Sequence, residues 1–97
     1  MLSNYITDEI LIKWCTEARI DFHKIMYKIE HIIPEGDKLY IYTSTPGRLI
    51  GKQGLLFEKY KAEFEKEISG KIKIEFIETN YIMTAEEWDN YIMNRGF

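Results

Sequence analysis

The chain has 97 residues, 45% of them hydrophobic, and a formal net charge of −3. That length suits one compact domain over 1–97 with a modest core, and it leaves no room for a second. The acid excess argues against indiscriminate binding to long polyanions. The longest stretch free of charged side chains, 39–47, has nine residues, far short of the roughly 20 that span a bilayer. The opening Met1-Leu2-Ser3-Asn4-Tyr5 lacks the basic and apolar regions of a secretion signal, so the expected location is cytoplasmic, away from membranes. Cys15 has no second cysteine to pair with and lies on the apolar side of a helical pattern, which reads as core. His23 and His31 are the only histidines and read as ordinary strand positions, so no metal and no imidazole catalyst is expected.

In chain order, Thr7-Asp8-Glu9 opens the first helix, a capping hydroxyl followed by two carboxylates suited to the positive end of the helix dipole. Ile10, Leu11, Trp14, Cys15 and Ala18 then recur at helical spacing and face a core, and the helix is expected to end near Arg19 or Ile20. Trp14 could stack on a base, but within such a stripe it reads as packing. Over 24–33 the period falls to two, with Ile25, Tyr27 and Ile29 alternating against Met26, Lys28 and Glu30. Pro34-Glu35-Gly36-Asp37 breaks this strand, and a second follows with Leu39, Ile41 and Thr43 on one face and Tyr40, Tyr42 and Ser44 on the other. So short a connection predicts an antiparallel hairpin. Tyr40 and Tyr42 could stack bases or widen the apolar sheet surface.

Next comes Thr45-Pro46-Gly47-Arg48-Leu49-Ile50-Gly51-Lys52-Gln53-Gly54. Thr45 can cap a one-turn helix, with Pro46 in the first helical position and Leu49 and Ile50 supplying buried contacts. Gly51 and Gly54 permit a sharp turn with Lys52 and Gln53 pointing outward, beside the N-terminus of a long helix where free N–H groups favour a phosphate. Phe57, Tyr60, Phe64 and Ile68 give that helix its buried stripe, and Ser69-Gly70 ends it. Ile72, Ile74 and Phe76 alternate with Lys71, Lys73 and Glu75 in a third strand, which the helical crossover should place parallel to an earlier one. The tail carries a capping box, Thr84 with Glu87, then Trp88, Tyr91 and Ile92 on one helical face over 84–95. This helix either packs on the domain or docks a partner. Charge is unevenly placed: within 45–61, Arg48, Lys52, Lys59 and Lys61 face Glu58 alone, a local +3 that leaves −6 for the rest of the chain.

A strand, then Pro-Gly-x-x-Ile-Gly-Lys-x-Gly, then an amphipathic helix and a strand resembles the KH domain. The likeness is nearest to the type II form found in the bacterial small-subunit ribosomal protein at the mRNA entry site, and it covers about 24–78. It implies an α+β fold, α-β-β-α-α-β, with a three-stranded mixed sheet packed on helices, a core over 7–78 and the added C-terminal helix. It also implies a non-enzymatic protein in which the GxxG loop holds the backbone of unpaired RNA, or of single-stranded DNA, beside an apolar base groove. On these positions the ligand contacts would be Arg48, Ile50, Gly51, Lys52, Gln53, Gly54, Leu55 and Lys59. No cofactor, small-molecule substrate or catalytic residue is expected, since Gly51-Lys52-Gln53-Gly54 lacks the spacer and Lys-Ser/Thr ending of a P-loop and the carboxylates are scattered over helical faces. The competing reading keeps the scaffold as a protein-interaction module or inhibitor. It would dock on a nucleic-acid-processing complex through the acidic face or the Trp88, Tyr91, Ile92 helix.

Overall fold

The computed structural model describes residues 1–80, and the helix expected over 84–95 lies outside them. Helix α1 spans Asn4–Ala18, strands β1 and β2 span Met26–Ile32 and Gly36–Thr43, helices α2 and α3 span Pro46–Ile50 and Leu55–Ile68, and β3 spans Ile72–Glu78. The sheet runs β1-β2-β3. The hairpin pairs antiparallel, with Tyr27 opposite Ile41 and Ile29 opposite Leu39. The helical crossover makes β3 parallel to β2, with Ile74 beside Leu39 and Phe76 beside Ile41. This is the expected α+β order and mixed sheet. Because pairing preserves alternation, Ile29, Leu39 and Ile74 form one row beneath the helices, and Tyr27, Ile41 and Phe76 form the next.

The core lies between that sheet face and the stripes of α1 and α3. Ile10, Leu11, Trp14, Cys15 and Ala18 are all buried, as are Tyr60 and Phe64, while Phe57 and Ile68 are half-buried. Each fully buried Leu or Ile contributes about 1.5–3 kcal/mol of transfer free energy, and Leu11, Leu39, Ile41 and Leu49 are at 0% exposure. Trp14 is central: its ring stacks on Tyr60 at 5.3 Å and meets Phe76 edge-on at 5.9 Å.

Several boundaries differ from the sequence expectation. The first helix opens at Asn4, with Ser3 as its cap accepting from the Ile6 amide at 3.2 Å. Thr7 is one turn inside, buried, with its hydroxyl donating to the Ser3 carbonyl at 2.7 Å. Both hydroxyls suit a cap, and burial of Leu2 decides between them: its amide donates to Asp37 at 2.6 Å and pins the chain's entry one turn earlier. His23 sits in a short 3-10 turn, Phe22–Lys24, whose start is capped by the Asp21 side chain, rather than in a strand. Thr45 makes no side-chain cap bond; the Thr43 hydroxyl instead accepts from the Thr45 amide at 3.2 Å. At the end of α3 it is Ser69, not glycine, that turns left-handed, at φ 50°. Ile50 is half-buried, leaving Leu49 as the buried anchor of α2.

Candidate nucleic-acid interface

The α2–α3 junction is held from below. Leu49 is fully buried, and its carbonyl accepts the indole N–H of Trp14 at 2.8 Å, so the last turn of α2 is tied to α1. The chain then reverses through three left-handed residues, Gly51 (φ 78°), Gln53 (φ 56°) and Gly54 (φ 75°). Gly51 donates its amide to the Gly47 carbonyl at 2.9 Å and Gly54 donates to Gly51 at 3.2 Å, which closes the bend.

The two glycines are required for different reasons. A Cβ on Gly51 would lie 3.0 Å from the Leu56 side chain, so this corner is glycine because the backbone packs against α3. A Cβ on Gly54 would meet nothing within 4 Å, so that corner is open and only its backbone angle demands glycine. Between them Lys52 and Gln53 are exposed. No side chain caps α3, so the orphan amides of its first turn face outward beside the bend.

The candidate residues separate into two places. Arg48, Ile50, Gly51, Lys52, Gln53, Gly54 and Leu55 cluster at the junction, with Leu55 presenting an apolar side chain at 65% exposure. Neither Arg48 nor Lys52 makes an ion pair among the described residues. Lys59 lies apart, on the side of α3 that packs on α1. Its ammonium bonds Glu17 at 2.6 Å and lies 5.3 Å from the Tyr60 ring centre. The same Glu17 accepts the Tyr60 hydroxyl at 2.7 Å. Lys59, and then Tyr60, hold the Glu17 carboxyl below its ordinary range, while burial and then Glu17 push the Tyr60 phenol up. A neighbouring Lys13–Glu63 pair joins the same two helices, and together these contacts read as an α1–α3 clamp.

Sequence reasoning passed over the other side of α3. Lys61 lies 6.0 Å from the Phe57 ring centre, and Phe57 meets Phe76 edge-on at 6.0 Å. A cavity of about 340 Å³ separates this face of α3 from β3, with Phe57, Lys61 and Ile74 in its lining. The spacing of four between Phe57 and Lys61 was the available signal, since it puts both on one helical face. Trp14 is fully enclosed and serves as packing rather than as a base platform. No group of His, Cys, Asp and Glu side chains among the described residues has the arrangement of a metal site, and no helix among them is long and apolar enough to cross a membrane.

Compared with family models, the chain matches the KH domain over residues 9–80. Neither the curated proteins nor the solved structures yield a match.

Proposed function

The chain belongs to the KH domain family, whose members generally bind nucleic acid and perform no chemistry, and on that premise we propose that it is a type II KH module that binds single-stranded RNA. The element order and the parallel β2–β3 pair support the type II assignment. The observation that carries the binding mode is the bend at 51–54. Its left-handed corners expose Lys52 and Gln53 next to the uncapped N-terminus of α3, where main-chain amides and one mobile ammonium converge on an anion. Phosphates would lie against that bend, with Arg48 as a second cation. Ile50 and Leu55 would border the bases, and the groove between α3 and β3 would extend their path. Lys59 contributes to the fold through Glu17 rather than to the ligand.

Few cations take part, so affinity falls only gently with salt, with a log–log slope on the order of −1.5 to −3 from about −0.7 per neutralised phosphate. Fluorescence anisotropy with short mixed-sequence RNA and DNA strands tests the proposal. The double variant Lys52→Asp/Gln53→Asp should bind at least about tenfold more weakly than the native chain, since two carboxylates then face the phosphates. Equal binding by both would place the site elsewhere, and no binding by the native chain at low salt would remove the RNA reading altogether. Tighter binding of DNA than of RNA would reassign the ligand.

A further inference from the structure

We propose that the outer edge of β3 is an interface between two copies of this chain, paired antiparallel about Ile74 so that two three-stranded sheets become one. Among the described residues β3 hydrogen-bonds only to β2. Its seven residues, Ile72–Glu78, contain no proline or glycine to interrupt a further pairing. Register with β2 puts Ile72, Ile74 and Phe76 on the helix side and Lys73, Glu75 and Ile77 on the other.

A two-fold axis through Ile74 sets each Lys73 opposite the partner's Glu75 on one face, and Ile72 opposite Phe76 on the other. Sliding the strands by two residues one way brings Lys73 onto Lys73. Sliding them the other way brings Glu75 onto Glu75, and odd slips turn apolar residues to the wrong face. One register therefore satisfies both faces.

The charges on this strand are available for it. Lys73 makes no ion pair among the described residues. Glu75 touches Lys38 at 3.2 Å but remains 53% exposed, with room for a second cation. On the opposite edge of the sheet, Lys28 and Glu30 of β1 already lie 3.8 Å apart within their own strand. The cavity of about 340 Å³ lined by Phe57 and Ile74 borders the same edge of β3 and would be walled by the second copy.

If the proposed function also holds, such a dimer carries two GxxG bends at opposite ends of one sheet. A single RNA strand could then engage both, raising avidity over one weak module.

Sedimentation velocity of the full chain at concentrations on the order of 100 μM, where weak self-association is visible, tests the interface. The native chain should sediment as a dimer. Lys73→Glu and Glu75→Lys, each placing like charges together, should separately weaken association about tenfold or more. An equimolar mixture of the two variants should dimerise again, because the paired carboxylates of one variant's strand then face the paired ammoniums of the other's. A monomeric native chain, single variants that dimerise as well as native, or a mixture that stays monomeric would each overturn the proposal. Anisotropy of dilute Lys73→Glu with RNA separates this outcome from that of the function, since the variant leaves the bend at 51–54 untouched.

Discussion

Replacing Gly51 and Gly54 separately by alanine tests whether the bend is built as described. Gly51 has φ 78° and ψ 175°, a region that is essentially glycine-only, and its added Cβ would press on Leu56 at 3.0 Å. The strain costs about 1–3 kcal/mol, and displacing Leu56 adds about 1 kcal/mol or more of overpacking. Gly54 has φ 75° and ψ 13°, ordinary left-handed backbone with open space beside it, so alanine there costs only about 1–2 kcal/mol. For a domain this size about 1 kcal/mol lowers the Tm by roughly 4–8 °C. Gly51→Ala should therefore lose on the order of 12–20 °C and Gly54→Ala on the order of 4–10 °C. Thermal unfolding followed by circular dichroism reads both. Equal losses, or a larger loss at Gly54, would refute the assignment of Gly51 to packing and Gly54 to an open corner. The binding titration complements it: Gly54→Ala, the milder change in stability, adds bulk on the open side and is expected to weaken RNA binding in a chain that still folds.

Trp14→Phe removes the indole donor from the Leu49 carbonyl and leaves a buried acceptor unpaired, so urea unfolding should show a loss of about 2–3 kcal/mol; a variant as stable as native would show that the bond contributes nothing. Burial by itself would raise the Asp37 carboxyl, but the bonds from His31 and from the Leu2 amide outweigh it and bring the net below the ordinary 3.8. A folded value below the unfolded one means a stabilisation that is present above 3.8 and lost as pH falls through the lower value. The native urea midpoint should thus drop more steeply below about pH 4 than that of Asp37→Asn, and parallel curves would remove the link. The Cys15 thiol is 1% exposed, and burial first, then Asp21, pushes it up to about 12. A thiol reagent at neutral pH should therefore label it only as urea opens the fold; rapid labelling of the native chain would contradict a closed core.

Much of the architecture was legible because two periods are written plainly into the chain. The alternation of Leu39, Ile41 and Thr43, and the three- and four-residue steps from Ile10 to Ala18 and from Tyr60 to Phe64, each bury one face. An element that buries one face has few ways to sit. The glycine spacing also marked the bend, since left-handed backbone is cheap only for glycine. Helix ends were less legible, because Ser3 and Thr7 are equally good caps in isolation and the choice depended on Leu2 reaching Asp37, 35 positions away.

The sequence by itself determined the order of helices and strands, the antiparallel hairpin and the location of the loop that turns outward, all of which follow from local spacing and backbone preference. Only the tertiary structure decided which cations remain available. Lys52 and Lys59 look alike along the chain, yet α1 brings Glu17 to within 2.6 Å of Lys59 and no described residue pairs with Lys52. That difference arises from contacts between elements 42 positions apart, and charge pairing at that range depends on how the helices pack rather than on any local pattern.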